Sequence, residues 1–262
     1  MMEGISNNEI SEIIENFNKR YEGLGNIINP ILEKQTLDRN RVIELCQVAK
    51  YVHLLDEDIK IINNPRPPAP DFILQKASKQ IGLEHTRLYT DGRERYLKIV
   101  SLVEVAENIY KEKYSSHFLL ASIEIRNDRL DYKKNEKKQL ATEIAEIVYK
   151  IKNGDYIDFP NYIEDIRISK HSRVSFTYKE QNFQAPYLTK ERLIKGIRKK
   201  ENKIKLYKKS KFNIENYWLI LLVGSLSSVS YQINENIDYR TNSIFDRVYL
   251  MADFSGEIIK VK

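Results

Sequence analysis

The sequence predicts a mixed α/β fold, and three kinds of segment support this prediction. Several segments repeat apolar residues at spacings of three and four, which is typical of amphipathic helices. Others alternate apolar and polar residues between turn signals, which is typical of strands. The most apolar run, residues 217–223, is far shorter than the about 20 residues that a membrane-spanning helix needs, and it indicates a buried strand. We therefore expect a central mixed β-sheet flanked by helices.

The first part of the chain is predicted to be helical. Residues 5–34 carry apolar residues at helical spacing, but two glycines and a proline divide them into two short helices. A longer helix is expected over residues 38–55, with Asp38 as its N-cap. In that helix the carboxylate of Glu44 lies at the edge of the apolar stripe.

A proline-rich connector and two strands follow. Residues 63–70 hold four prolines, so they are expected to form an extended connector rather than a helix or a central strand. Residues 71–75 are predicted as a short strand, and residues 80–89 as a second strand with clear alternation.

The remaining elements alternate between helix and strand. Apolar spacing predicts helices over residues 93–114, 134–152 and 189–209. Strands are expected over residues 117–125, 163–169, 173–179 and 217–223, followed by a hairpin of residues 246–252 and 257–262.

The helix expected over residues 189–209 is strongly basic. From Lys190 to Lys211 there are 11 Lys or Arg residues and two Glu, a local charge of +9 against +6 for the whole chain. A concentrated basic face attracts a phosphate backbone, although a solvated helix would carry the same residues. Tyr207, interleaved with these lysines, could stack on a base but is expected at the boundary of the core.

Composition favours a cytoplasmic protein without a membrane partner. The single cysteine, Cys46, excludes an intramolecular disulfide and a Cys-rich zinc module, which agrees with a reducing compartment. The beginning of the chain lacks the basic start and apolar run of a signal peptide.

The domain organisation is predicted to be simple, because the sequence shows no internal repeat and no clear linker. We expect a single domain over residues 1–262. It comprises an N-terminal helical cap (1–37), a core (38–153) and a C-terminal α/β extension of the same sheet (154–262).

Two acids in the strands after the connector carry the most specific chemical signal. Asp71 opens the first strand, and Glu84 lies within the second with Thr86 on its face. If the strands form a hairpin, both carboxylates lie on one side of the sheet, where they suit Mg²⁺ or Mn²⁺. Each acid has an ordinary alternative: Asp71 as a turn residue after proline, and Glu84 as a carboxylate exposed to solvent or paired with arginine.

The pattern Pro70-Asp71, followed by Glu84-His85-Thr86 on a second strand, resembles the signature of the PD-(D/E)XK nuclease superfamily. The resemblance implies an αβββαβ restriction-endonuclease-like core, which would run from the helix at residues 38–55 to the strand at residues 117–125. The segments YWLILLVG and FDRVYLMADFSG are also similar to those of uncharacterised bacterial nuclease-like proteins.

The resemblance implies a metal-dependent DNA endonuclease, of the kind that serves in restriction or phage defence. It assigns catalysis to Asp71, Glu84 and Thr86, and Mg²⁺ or Mn²⁺ binding to Asp71, Glu84 and Glu44. Double-stranded DNA is the expected partner, and a homodimer is left open. The residues expected to contact DNA on the basic helix are Arg192, Lys195, Arg198 and Lys199.

Thr86 departs from the superfamily pattern, which usually has lysine at this position. A lysine there would stabilise negative charge on the phosphate, and threonine cannot. Nearby basic residues that could replace it, and that would also contact nucleic acid, are Arg87, Arg93 and Lys98.

Two further hypotheses remain open. The threonine favours a catalytically silent nuclease fold that binds nucleic acid or serves in assembly, and a third possibility is a hydrolase of smaller phosphodiesters. His85 is expected to pack rather than to catalyse. The sequence has no glycine-rich phosphate loop, zinc-ligand spacing or serine-hydrolase elbow.

Overall fold

The computed structural model describes residues 15, 18–55, 57–114, 118–126, 130–180, 184–224 and 229–262. Within these ranges the protein has a mixed α/β fold, as the sequence predicts. The helices are α1 (Leu24–Leu32), α2 (Arg39–Leu54), α3 (Arg93–Lys113), α4 (Lys137–Lys152), α5 (Lys190–Glu201) and α6 (Ile204–Tyr207). The strands are β1 (Ile59–Asn63), β2 (Phe72–Lys76), β3 (Lys79–Arg87), β4 (Leu119–Ile125), β5 (Ile163–Lys170), β6 (Ser175–Lys179), β7 (Asn216–Val223), β8 (Arg247–Ala252) and β9 (Ile258–Lys260).

Most predicted elements are present close to their expected bounds. The three long helices α2, α3 and α4 and the buried strand β7 all lie where apolar patterning places them. Asp38 caps α2, because its carboxylate accepts hydrogen bonds from the backbone N–H groups of Asn40 and Arg41.

Three differences concern short segments. Strand β1 has no counterpart among the predicted elements, because five residues beside a proline-rich connector are too few to show a period. The basic helix is divided into α5 and α6 by a turn at Asn202 and Lys203. The first of the two short N-terminal helices falls largely on residues 5–17, which lie mostly outside the described residues.

The chain divides into two compact units. The first comprises Met1–Leu88, Pro186–Leu226 and Ser230–Lys262, and the second comprises Tyr89–Ala185 and Ser227–Val229. Most of the second unit, Tyr89–Ala185, is therefore inserted in the sequence between β3 and α5. The expected core boundary at residue 153 falls inside it.

The first unit contains a six-stranded mixed sheet in the order β1-β2-β3-β7-β8-β9. The first three strands are antiparallel neighbours, β7 runs parallel to β3, β8 runs parallel to β7, and β9 is antiparallel to β8. Helices α1 and α2 pack on the face that carries Leu83 and Trp218. Helices α5 and α6 pack on the opposite face, which carries Leu219 and Leu221.

The second unit contains its own three-stranded sheet in the order β5-β4-β6, with a core shared by α3 and α4. This arrangement corrects the expectation that residues 154–262 continue one sheet, since only β7, β8 and β9 do so. It also corrects the expected core, because β7 and not β4 lies beside β3. Alternation along a strand shows which face is buried but not which strand is its neighbour.

Candidate functional site

Asp71 and Glu84 lie together on one face of the sheet in the first unit. Phe72 of β2 pairs with Leu83 of β3, so Asp71, just before β2, lies level with Glu84. Opposite positions of antiparallel strands share a face. Oδ2 of Asp71 also accepts a hydrogen bond of 2.9 Å from the backbone N–H of His85. The hairpin geometry expected from the sequence is therefore present.

The proline-rich connector holds the backbone of Asp71 in place. Asn64 is buried, and its side-chain amide donates to the carbonyl oxygen of Asp71 at 2.6 Å. Arg41 of α2 donates to Oδ1 of Asn64 at 3.0 Å and to the carbonyl oxygen of Pro65 at 3.3 Å. These hydrogen bonds tie the connector to α2 and fix the point at which Asp71 enters the sheet.

A close approach between Pro70 and β3 requires glycine at position 82. A Cβ atom on Gly82 would lie 2.8 Å from Cγ of Pro70 and 3.2 Å from side-chain atoms of Ile214 and Tyr217. The proline ring cannot rotate away, since it is closed onto the backbone. The missing side chain of Gly82 thus allows Pro70, and with it Asp71, to pack directly on β3.

Glu84 is the most heavily bonded acid in the site. Its side chain is fully buried, and Oε1 accepts hydrogen bonds from Nζ of Lys200 at 2.7 Å and from Nζ of Lys203 at 2.8 Å. The hydroxyl of Tyr207 donates to Oε2. Lys200 lies in the last turn of α5, Lys203 lies in the turn after that helix, and Tyr207 ends α6. A buried carboxylate is tolerated here because charged partners replace the lost water.

The pKa values of the two acids shift in opposite directions. Burial raises the pKa of Asp71 to about 6, and the charge of Glu84 adds to the rise. Burial also opposes ionisation of Glu84, but Lys200, Lys203 and Tyr207 outweigh it and hold the pKa of Glu84 below its ordinary value. Burial and the Glu84 charge raise the pKa of Tyr207, so the phenol remains the proton donor.

Thr86 and Glu44 have different positions relative to this acid pair. Thr86 is two residues beyond Glu84 on β3 and therefore shares its face. Glu44 lies on α2, which packs on the opposite face of the sheet. Among the described residues, no group of three or more His, Cys, Asp or Glu side chains could hold a metal ion. The expected third carboxylate is therefore not brought to Asp71 and Glu84.

Arg87, one of the basic residues proposed to replace the missing lysine, lies on the other face of β3 from Glu84. Arg87 points to the α2 face, where its Nε donates to Oε1 of Gln47 at 3.0 Å. Arg93 and Lys98 belong to the second unit, where Lys98 pairs with Asp131 at 2.6 Å. The positive charges beside Glu84 come from Lys200 and Lys203 instead.

Lys200, Lys203 and Tyr207 are the site residues that the sequence analysis misses. Spacings of three and four place them along one side of the α5–α6 segment, and this is the signal that could have indicated a shared partner. The signal is weak because the same segment carries many other lysines. Only the packing of α5 and α6 on the Glu84 face distinguishes Lys200 and Lys203 from the other lysines of the segment.

A second polar network lies on the opposite face of β3. Nε2 of His85 is 3.1 Å from Oε1 of Gln47, and the amide of Gln47 donates to Asp253. Lys50 pairs with the same Asp253 carboxylate at 2.9 Å. Burial lowers the pKa of His85 to about 3, and the charge of Arg87 contributes. His85 is therefore a neutral, buried side chain, in keeping with the expected packing role.

The basic helix presents part of its charge to solvent. Lys195, Arg198 and Lys199 are exposed, whereas Arg192 is half-buried with its guanidinium 5.9 Å from the ring centroid of Tyr231. The buried side of α5 includes Gly196, where a Cβ atom would lie 2.7 Å from Cδ2 of Leu88. Close packing of α5 on the sheet thus leaves one lysine-rich side outward and sets Lys200 against Glu84.

Within the described residues, no helix has the length and apolar character that a membrane span requires. The side-chain geometry of the first unit is the basis for assigning a function. Comparison with protein-family models, with curated proteins and with solved structures finds no match to this chain.

Proposed function

We propose that the first unit is a metal-dependent nuclease that hydrolyses phosphodiester bonds, with double-stranded DNA as its substrate. The observation that carries the proposal is the pair of lysines beside the two acids. Nζ of Lys200 and Nζ of Lys203 lie 2.7 and 2.8 Å from Glu84. They supply the positive charge that the PD-(D/E)XK pattern requires and that Thr86 does not provide.

The strand arrangement of the first unit supports this proposal. From α2 onward its elements follow in the order α2, β1, β2, β3, α5 with the short α6 after it, and β7, interrupted by the second unit. This is an αβββαβ order, with three antiparallel strands and a final strand parallel to the third. It is the order that the resemblance implies, although it uses α5 and β7 in place of α3 and β4.

The donor atoms suit a divalent cation such as Mg²⁺ or Mn²⁺, which prefers carboxylate oxygens and keeps several waters. Asp71 and Glu84 would hold it, and Oδ1 of Asp71 accepts no hydrogen bond within the described part of the chain. The raised pKa of Asp71 reflects burial and repulsion from Glu84, and a cation would relieve that repulsion. When bound, the metal would supply an activated water for hydrolysis.

The residues of this chain would perform two tasks around that water. Lys200 lies at the acid pair and would stabilise negative charge that develops on the phosphate. The exposed side of α5, with Lys195, Arg198 and Lys199, would bind the phosphate backbone. Thr86 shares the face of Glu84 and would position water through its hydroxyl.

Plasmid cleavage tests the proposal. Supercoiled DNA is incubated with wild type, Asp71→Ala, Glu84→Gln or Lys200→Met in Mg²⁺, Mn²⁺ or EDTA. We expect metal-dependent nicking by the wild type and a loss of at least about 100-fold in each variant. The exchange Asp238→Ala removes an exposed acid of the first unit and serves as the matched control. Undiminished cutting by Asp71→Ala would refute the assignment.

The hydrogen bonds that already occupy both carboxylate oxygens of Glu84 favour a second candidate function. Both of its oxygens already accept hydrogen bonds, and its two lysine partners oppose entry of a cation. A nuclease fold that binds nucleic acid without cutting it would retain this arrangement permanently. In that case, a fluorescent duplex would bind with equal affinity in Mg²⁺ and in EDTA, and the plasmid would remain supercoiled.

A further inference from the structure

The four charged groups at the site balance each other. Two carboxylates, Asp71 and Glu84, face two ammonium groups, Lys200 and Lys203, so their formal charges sum to zero. A divalent cation added to this set would leave an excess of two positive charges in a buried place. Cation binding therefore requires either that an ammonium group leaves or that an anion arrives.

The side chains of Lys200 and Lys203 differ in how easily each can move away from Glu84. The side chain of Lys200 is 17% exposed, whereas that of Lys203 is 44% exposed. Lys203 also lies in the turn between α5 and α6, so its backbone is not inside a helix. A long, flexible ammonium side chain at the surface can exchange one anionic partner for another at small cost.

We infer that the ion pair between Lys203 and Glu84 opposes metal binding until a phosphate group of nucleic acid draws Lys203 away. We call this ion pair the Lys203 lock. Without nucleic acid, Lys203 occupies Oε1 of Glu84 and opposes metal binding. When a phosphate reaches this basic surface, Nζ of Lys203 pairs with the phosphate and leaves one of the two acceptor positions on Oε1 of Glu84 available, while Lys200 retains the other. Lys200, which is more buried, stays at the acid pair. This inference rests on the proposed function, and it adds that metal and substrate enter the site together.

Because of the Lys203 lock, metal binding and nucleic acid binding strengthen each other. If the phosphate increases the affinity for the metal, the metal increases the affinity for nucleic acid by the same factor. Typical coupling between two sites amounts to about 5- to 150-fold in affinity. The protein would then hold little metal until a substrate is present.

Titration of Mn²⁺, followed by the electron paramagnetic resonance signal of the free ion, tests the lock by binding alone. The titration is made with and without a 20-base-pair duplex, at low temperature, and a gel verifies that the duplex stays intact. The variants are Lys203→Gln, which keeps hydrogen-bond donors but removes the charge, and Lys205→Gln, which removes an exposed lysine of α6. Asp71→Ala identifies the specific site, and circular dichroism verifies folding.

We expect the duplex to increase Mn²⁺ affinity at least about fivefold in wild type and in Lys205→Gln. Lys203→Gln should bind Mn²⁺ more tightly than wild type without the duplex, and the duplex should add little. Equal affinity of wild type with and without the duplex, abolished by Asp71→Ala, would overturn the lock but leave the metal-dependent nuclease intact. Absence of Mn²⁺ binding that depends on Asp71, in every protein and with the duplex present, would overturn both.

Discussion

At the scale of single residues, the buried carboxylate of Glu84 depends on each of its donors. Tyr207 donates to Oε2, the oxygen that neither lysine contacts. We expect Tyr207→Phe to lower the free energy of unfolding by about 1–3 kcal/mol, because a buried acceptor loses its partner. Urea unfolding, followed by fluorescence of the single buried tryptophan Trp218, measures this change. Tyr156→Phe, at a 91% exposed tyrosine, should change nothing and is the control.

His85 provides a residue-scale prediction of pH dependence. Its pKa of about 3 in the folded protein lies below the value of about 6.5 in an unfolded chain. The unfolded chain therefore binds the proton first as the pH falls, and the folded state loses stability between about pH 6.5 and pH 3. We expect the stability of wild type to fall relative to His85→Gln across this range. Urea unfolding at a series of pH values measures the difference, and a constant difference would contradict a neutral, buried His85.

At the scale of elements, the approach of the connector to β3 depends on Gly82. A side chain there would meet Pro70 at 2.8 Å, so the connector or the strand must shift. We expect Gly82→Ala to cost about 1–3 kcal/mol of stability and to displace Asp71 from Glu84. Gly25→Ala in α1, where the nearest neighbour would be 3.8 Å away, should leave stability unchanged or slightly higher. Equal effects of the two substitutions would show that the contact with Pro70 is unimportant.

The exposed side of α5 supports a second element-scale prediction. Each lysine or arginine that neutralises a phosphate adds about 0.9 to the slope of log affinity against log salt concentration. We expect the double variant Arg198→Gln, Lys199→Gln to bind a fluorescent duplex more weakly and with a smaller slope. Lys150→Gln with Lys152→Gln on α4 removes the same charge from the second unit and is the matched control. The same slope in both double variants would exclude α5 as the binding surface.

At the scale of the whole molecule, the net charge is divided unevenly. The chain carries +6, of which residues 89–185 carry only +1. The first unit therefore holds most of the charge that attracts nucleic acid, and it has its own apolar clusters on both faces of its sheet. We expect a variant in which a Gly/Ser linker replaces residues 89–185 to fold and to retain its salt-dependent duplex binding. If the folded variant no longer bound the duplex, the second unit would be required for recognition.

Periodicity and composition alone determine much of this protein. Three- and four-residue spacings predict α2, α3 and α4, because a helix with one buried face must repeat in that way. The apolar run of β7 predicts a central strand, and the connector predicts where the hairpin of Asp71 and Glu84 begins. These features are local, since each depends on residues within one or two turns or strands.

Only the tertiary structure decided which elements are neighbours. The sequence places β4 after the acid strands, but β7, more than 120 residues after β3, is the strand that pairs with it. In the same way, Lys200 and Lys203 reach Glu84 across 116 and 119 residues, whereas the nearby Arg87 points to the other face. Patterns along a chain record burial and local geometry, whereas strand partners and the lysines of a site are set by which surfaces pack together.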